Sequence, residues 1–134
     1  MEKRLFEIVT DSSCDLPEEY YKEHGLECIR LGFLMDGTNY EGEDGDRIDA
    51  KAFYAKLRAG AMPTTYQVTA EAAKTHFEKF LSAGRDVLVV AFSSGLSGTE
   101  GSYRVAAKEL KEKYPDRTVL VVDSLCASMG EGLF

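Results

Sequence analysis

Three short segments of hydroxyl and carboxyl side chains each follow directly after an apolar run of the sequence. They are Thr10-Asp11-Ser12-Ser13 after residues 5–9, residues 93–99 after residues 86–92, and Asp123-Ser124 after residues 118–122. If the three runs are parallel strands, their polar ends lie at one edge of a sheet, where open α/β sheets bind ligands. A fourth polar segment, residues 63–67, precedes a predicted helix and could join the other three.

The segment Ser93-Ser94-Gly95-Leu96-Ser97-Gly98-Thr99, called the serine loop below, has the sharpest signal. A loop with two glycines between a strand and a helix presents backbone N–H groups and the positive end of a helix dipole to an anion. The hydroxyls of Ser93, Ser94 and Ser97 add further donors, which suits a carboxylate or a phosphate. The alternative is that Ser97 only caps the helix, in a capping box with Glu100, and that the glycines only form a turn.

Motifs of several catalytic or metal-binding classes are incomplete in this sequence. The serine loop lacks the second glycine of a nucleophile elbow, no histidine follows Ser97, and no lysine makes the loop a phosphate-binding P-loop. Residues 44–49 begin like a calcium loop, but Ala55 stands where the twelfth-position glutamate should be. Asp11 and Asp123 could bind a metal or act as a base, although hydrogen bonding to loop N–H groups is the more ordinary role. No metal or cofactor site is therefore predicted.

The pattern of strands and helices around these segments predicts an α/β fold with a parallel β-sheet flanked by helices on both sides. Helices are predicted after Asp15 with a stop at Gly25, from Asp49 to Gly60, over residues 73–81, and from the serine loop to Pro115. Residues 26–35 form another apolar stretch, and residues 40–46 are predicted to be a surface loop. Residues 127–134 begin a further element.

Composition excludes some partners. The net charge is −7 and the sixteen Lys and Arg residues are scattered, which argues against nucleic acid. No apolar run approaches the roughly 20 residues of a membrane span, so stable membrane insertion is not expected. Cys14, Cys28 and Cys126 are widely spaced, without a CxxC pair, and are expected to be reduced thiols in a cytoplasmic protein.

Several segments together resemble the DegV family. The matching segments, in order, are Ile8-Val9-Thr10-Asp11-Ser12-Ser13, Asp15-Leu16-Pro17, Asp36-Gly37, Tyr40, Phe53-Tyr54, Thr64-Thr65-Tyr66-Gln67, the serine loop and Asp123-Ser124. The resemblance implies that residues 1–134 are the N-terminal α/β domain of a two-domain protein, without the C-terminal domain that forms most of the lipid tunnel. It also implies a bacterial, non-enzymatic protein that binds one long-chain fatty acid by its carboxylate. Some family members are carriers that present the acid to the catalytic subunit of a fatty-acid kinase.

The same resemblance implies the ligand-binding residues. Thr65 matches the threonine of the family's TSQ motif, with Thr64 beside it, and Ser93 or Ser94 matches the loop serine. Gly95 and Ser97 complete the expected set of Thr64, Thr65, Ser93, Ser94, Gly95 and Ser97. Three departures from the family pattern are Tyr66 in place of serine, Val68 in place of proline, and Glu100-Gly101 in place of Tyr-Gln. Glu100 would put a negative charge near the bound carboxylate.

Two alternatives to the lipid-binding function stay open on the sequence. One is a small metal-dependent hydrolase or phosphotransfer domain that uses Asp11, Asp123 and the serine loop. The other is a truncated domain that binds no ligand.

Overall fold

The computed structural model describes residues 4–134, and this part of the chain contains seven strands and five helices. The strands are β1 (Phe6–Asp11), β2 (Glu27–Ile29), β3 (Gly32–Met35), β4 (Thr38–Glu41), β5 (Thr64–Tyr66), β6 (Asp86–Ala91) and β7 (Val119–Asp123). The helices are α1 (Glu18–His24), α2 (Ala50–Arg58), α3 (Ala70–Leu81), α4 (Thr99–Lys113) and α5 (Met129–Gly132). None of the helices among these residues is both long and apolar enough to cross a membrane.

Four strands form the predicted parallel sheet, in the order β2-β1-β6-β7. In its register, Ile8 pairs with Leu88 and Leu88 pairs with Leu120. The α/β prediction is thus confirmed. The carboxyl ends of β1, β6 and β7 are neighbours, so the three polar segments that follow them lie at the same edge.

The main core lies on one face of this sheet, beneath α3 and α4. Val9, Val89 and Val121 point into it from the strands, and Phe77 and Tyr103 meet there from the two helices with ring centroids 5.8 Å apart. Helices lie on both faces of the sheet, as expected, but within residues 4–134 the second face is only partly covered, by the short helix α5, whose Glu131 accepts a hydrogen bond from Thr10 Oγ1. On the opposite face Phe6 and Leu120 are exposed, because α3 and α4 both pack on the first face.

A second, antiparallel sheet with the order β4-β3-β5 was not predicted. The apolar stretch 26–35 divides into β2 and β3 around Arg30, which pairs with Glu18 and Glu41. Asp36 and Gly37, with φ of 52° and 77°, form the tight turn between β3 and β4, so residues 38–41 of this region are strand and the predicted loop is shorter. The polar segment Thr64–Tyr66 is the edge strand β5.

Helix boundaries agree with the sequence where a side chain caps the backbone. Asp49 accepts a hydrogen bond from the N–H of Ala52 and begins α2, and Gly25, with φ of 61°, ends α1 as predicted. Asp15 does not cap α1. The residue before that helix is Pro17, while Asp15 itself has φ of 56° and closes a 3-10 turn over Ser12–Cys14.

Gly45 is expected to be the glycine least tolerant of a side chain. A Cβ atom there would lie 1.8 Å from the carbonyl oxygen of Glu41, in a loop closed by the hydrogen bond from Glu41 N to Asp46 O (2.9 Å). We expect Gly45→Ala to lower the free energy of unfolding by about 1–2 kcal/mol in chemical denaturation. Gly101→Ala is the control, because its site on α4 is open and alanine favours a helix by ~0.8 kcal/mol. Equal stability of Gly45→Ala and the parent chain would contradict the packing around Glu41.

Candidate functional site

The three polar segments at the carboxyl edge of the parallel sheet are joined by hydrogen bonds. Asp11 is fully buried at the end of β1 and accepts from the N–H of Phe92 (3.1 Å), the N–H of Ser13 (3.3 Å) and the hydroxyl of Tyr103 (3.3 Å). Its carboxylate therefore fixes the exit of β6 relative to β1. This confirms the prediction that Asp11 holds loop backbones.

Asp123 has the same role at the end of β7. Its Oδ1 accepts from the N–H of Ser94 (3.2 Å) and the N–H of Leu125 (3.0 Å). The neighbouring Ser94 hydroxyl, and after it the Leu125 N–H, lower the pKa of the Asp123 carboxyl. Both aspartates thus shape the serine loop. Across residues 4–134, no three His, Cys, Asp or Glu side chains cluster closely enough to share a metal ion.

The backbone N–H groups of the serine loop do not face outward as the sequence predicted. Those of Ser93 to Ser97 have acceptors within the protein, respectively Cys126 O, Asp123 Oδ1, Ser93 Oγ, Ser93 O and Ser93 O. The reason is the tight turn, which folds the loop back onto its own first residue. An anion at this edge would therefore meet hydroxyl groups rather than a ring of N–H groups.

Ser93 has the best-placed hydroxyl of the loop. Its Oγ accepts a hydrogen bond from the N–H of Gly95 (3.2 Å), which orients the side chain and leaves the hydroxyl proton to donate elsewhere. Ser93 is buried, whereas Ser94 is exposed. The hydroxyl of Ser97 is directed inward and donates to Thr99 Oγ1 (3.0 Å). The predicted donors of the loop are thus not equivalent.

The predicted capping box of Ser97 and Glu100 is wrong. Helix α4 begins at Thr99 and the residue before it is Gly98, so Ser97 lies one residue too early to cap. Ser97 Oγ instead accepts from the N–H of Thr99 (3.2 Å), and the carboxylate of Glu100, which is buried, pairs with Arg104. The guanidinium of Arg104 therefore compensates the negative charge of Glu100, which was expected to lie near a bound carboxylate.

The segment that contains Thr64 and Thr65 reaches the start of α4. The N–H of Val68 donates to Thr99 Oγ1 (3.2 Å), and the Gln67 side chain lies against Gly98, where a Cβ would be 2.1 Å from Gln67 Oε1. Edge strand β5 therefore leads directly to the serine loop. The structure brings the fourth polar segment to the other three.

Thr64 and Thr65 are both exposed, but they lie on opposite faces of the antiparallel sheet. Thr65 pairs with Phe33, which packs against Tyr40 and Phe53, and Thr64 pairs with Leu34 on the other face. Tyr66 shares the face of Thr64, where its ring covers Gly32. Side chains alternate along a strand, so one head group cannot contact both threonines. The bulk of Tyr66 is also directed away from the Thr65 face.

A cavity of about 240 Å³ lies between the antiparallel sheet and α3, on the face of Tyr66. Its lining includes Arg30, Gly32, Glu43, Tyr66 and Gln67. None of the six predicted ligand-binding residues is in its lining, which meets the fourth polar segment at Tyr66 and Gln67. The guanidinium of Arg30 within it is already paired with Glu18 and Glu41.

Glu131 is a residue near this edge that sequence reasoning missed. It is only 2% exposed, and its carboxyl oxygens accept from Thr10 Oγ1 (3.3 Å) and Ser13 Oγ (2.9 Å). Burial, together with the negative charge of Asp11, raises the pKa of Glu131 to about 8. Ser13 also donates to Asp11, so its hydroxyl lies between the two acids. No local sequence pattern links residues this far apart in the chain.

Comparisons with known proteins agree on one family. The family model described as "Uncharacterised protein, DegV family" matches residues 5–134. A DegV domain-containing protein of Clostridium perfringens is 41% identical over 130 residues, which is 97% of this chain and 45% of that protein. The chain therefore spans less than half the length of such relatives.

Two solved structures share the fold at similar coverage. The stearic-acid-binding protein from Eubacterium ventriosum superposes with a TM-score of 0.86 at 29% identity, over 96% of this chain and 44% of that one. A fatty-acid-binding DegV family protein from Thermus thermophilus has a TM-score of 0.81 at 33% identity, over 97% of this chain and 44% of that one.

Proposed function

Because the chain belongs to the DegV family, we propose that it binds a long-chain fatty acid by its carboxylate at the carboxyl edge of the parallel sheet. The observation that carries the proposal is the hydrogen bonding of the serine loop. The N–H groups of Ser93 to Ser97 have internal acceptors, whereas the Ser93 hydroxyl keeps a proton to donate. A neutral hydroxyl that donates to a carboxylate makes a charge-assisted hydrogen bond, stronger than one between neutral groups. The relatives from Eubacterium ventriosum and Thermus thermophilus are fatty-acid-binding proteins.

Within the predicted set, Ser93 and Thr65 are the proposed direct donors. Thr65 is favoured over Thr64 because Thr65 is the residue that the resemblance matches to the threonine of the family's TSQ motif. Thr64 shares its face with Tyr66, whose ring covers Gly32. Gly95 acts through its N–H, which orients Ser93, while Ser94 and Ser97 support the loop through Asp123 and Thr99. Thr64 has no role in this arrangement.

The acyl chain needs an apolar enclosure, which we assign to the part of the relatives' length that this chain does not span. In that arrangement residues 1–134 hold the head group and a second domain holds the hydrocarbon. The protein serves as a carrier, without a reaction of its own, and presents the acid to the catalytic subunit of a fatty-acid kinase. We place it in the cytoplasm, where the free thiols of Cys14, Cys28 and Cys126 stay reduced.

The proposal is tested by ligand content in two proteins. One is the chain itself, and the other is a hybrid protein in which the chain is followed by the part of the Clostridium perfringens relative that lies beyond its match. Each is purified, weighed by native mass spectrometry and extracted for lipid. We expect the hybrid protein to carry one fatty acid per molecule and the chain alone to bind the same acid more weakly.

Three controls separate this function from its alternatives. Methyl stearate, which lacks the carboxylate, should bind the hybrid protein more weakly than stearate. Phosphorylation of the bound acid by a fatty-acid kinase catalytic subunit and ATP tests the carrier role. If both proteins stay free of fatty acid when stearate is supplied, lipid binding is wrong. A metal-dependent hydrolase activity that Asp123→Asn abolishes would then support the enzyme alternative.

A further inference from the structure

Two buried acids face each other across a single hydroxyl group near the serine loop. Asp11, at the end of β1, is fully buried, and Glu131, on α5, is 2% exposed. The hydroxyl of Ser13 lies between them, 2.9 Å from Glu131 Oε2 and hydrogen-bonded to Asp11 Oδ1. One hydroxyl proton cannot serve two carboxylates at once. A protonated Glu131 resolves the conflict, because its O–H donates to Ser13 Oγ and the Ser13 hydroxyl donates to Asp11.

The surroundings of Glu131 favour this protonated form. The polar and titratable groups beside its carboxyl belong to Thr10, Asp11, Ser13, Cys14 and Tyr103. Tyr103 stays neutral, since burial and the charge of Asp11 raise the pKa of its phenol. Burial and the charge of Asp11 also raise the pKa of Glu131 to about 8, against the opposing effect of the hydroxyls. Glu131 therefore changes its charge just above neutral pH.

Glu131 is connected to the serine loop by two routes. Through the acid pair, Asp11 Oδ2 accepts a hydrogen bond from the N–H of Phe92 (3.1 Å), the residue before Ser93. Through the backbone, the segment that leads into α5 supplies the acceptor of the Ser93 N–H, which is Cys126 O (3.1 Å). A movement at the acid pair is therefore passed to Ser93 from both sides.

We propose that Glu131 is a positioning residue of the head-group site, which holds Ser93 in place for a carboxylate only while Glu131 carries its proton. Loss of the proton leaves two carboxylates that repel each other across Ser13, and the shared hydroxyl then fails one of them. A bound carboxylate adds a third negative charge at the same edge, so ligand binding and protonation of Glu131 favour each other. The inference rests on the proposed function for what Ser93 binds, whereas the link between Glu131 and Ser93 belongs to the chain itself.

The first measurement needs no ligand. In the chain itself, carbon NMR follows Cδ of Glu131 and Cβ of Ser93 from about pH 6.5 to 9.5, and both resonances should move with one midpoint near pH 8. In Glu131→Gln, which resembles the protonated acid, the Ser93 resonance should stay constant. Glu112→Gln, exposed on α4, is the control that should keep the titration. If Glu131 titrates while the Ser93 resonance does not move, the positioning role is wrong.

The second measurement is stearate binding by the hybrid protein and by its Glu131→Gln variant. The dissociation constant of the parent divided by that of the variant should rise about tenfold from pH 6.5 to 9.5, the loss expected when a donor to a carboxylate is displaced. The ratio removes the titration of stearate itself, which is common to both proteins. A substitution that only loosens the fold would change the affinity equally at every pH, so a constant ratio contradicts the inference.

The two measurements separate this inference from the proposed function. If the hybrid protein binds no stearate at any pH, the proposed function fails, and the Ser93 resonance still decides whether Glu131 positions that residue. If Glu131→Gln does not fold, Ser13→Ala removes the hydroxyl between the acids and should reduce the movement of the Ser93 resonance with pH. An unchanged movement in Ser13→Ala would overturn the proposal.

Discussion

Replacement of Ser93 by alanine should weaken stearate binding by the hybrid protein about tenfold or more. The Ser93 hydroxyl is oriented by the Gly95 N–H and is the loop donor without an internal acceptor in the part of the chain that the structure describes. A hydrogen bond to a charged group contributes about 1.5–3 kcal/mol, and every 1.4 kcal/mol corresponds to a factor of ten in affinity. Titration calorimetry with stearate measures the loss directly.

The two threonines of β5 supply a matched pair for the same measurement. Thr65→Ala should weaken stearate binding, and Thr64→Ala should leave it within twofold, because the two side chains lie on opposite faces of the strand. Ser82→Ala, distant from the site and bonded to Lys79 O, controls for the loss of any serine hydroxyl. Binding of methyl stearate should be the same in all four variants. If stearate binds equally to Ser93→Ala, Thr65→Ala and the parent, the head group lies elsewhere.

The edge where the site lies could be predicted because it depends on local patterns. A continuous apolar run such as residues 86–92 is typical of a central parallel strand, and its polar end must then lie beside the ends of its neighbours. Asp11 and Asp123 were assigned to loop backbones from residue type alone, and the N–H groups of Phe92 and Ser94 bear this out. Residue types and their neighbours in the sequence were enough to predict these features.

The features that could not be predicted depend on contacts between distant residues. Strand β5 has three residues, all exposed, and becomes a strand by pairing with β3, about 30 residues earlier in the chain. The direction of the serine-loop N–H groups depends on how tightly the loop turns back onto Ser93 O. The separation of Thr64 from Thr65 follows from the register of the same pair of strands. Composition and spacing contain none of this information.

The buried acid Glu131 gives the protein a pH dependence that the sequence did not indicate. Burial and the charge of Asp11 raise the pKa of Glu131 from 4.5 to about 8 in the folded protein. The folded state therefore holds a proton that the unfolded chain releases as the pH rises from about 4.5 to 8. Since the folded state binds more protons in this window, the free energy of unfolding falls as the pH rises through it. Below the lower limit both states are protonated and the effect vanishes.

Glu131→Gln should remove this fall in stability. Glutamine is close in shape to a protonated glutamate: its oxygen can accept from one of the two hydroxyls of Thr10 and Ser13 and its NH2 group can donate, but it carries no charge to bury beside Asp11. We expect the variant and the parent to have similar free energies of unfolding near pH 4.5, and the variant to be more stable by about 2–4 kcal/mol near pH 8.5. Urea denaturation at a series of pH values measures the difference, with Glu112→Gln, exposed on α4, as the control.

A second titrating group must be separated from Glu131 in that series. His76 lies between Glu27 and Glu43, and its hydrogen bond to Glu27 raises the pKa of the imidazole, so its contribution to stability is also lost as the pH rises through the folded value. The Glu131→Gln variant and the parent both contain His76, so its effect cancels when one free energy of unfolding is subtracted from the other. A constant difference between Glu131→Gln and the parent from pH 4.5 to 8.5 would mean that Glu131 is ionised in the folded protein across the range. The hydroxyls of Thr10 and Ser13 would then stabilise its charge against the repulsion of Asp11.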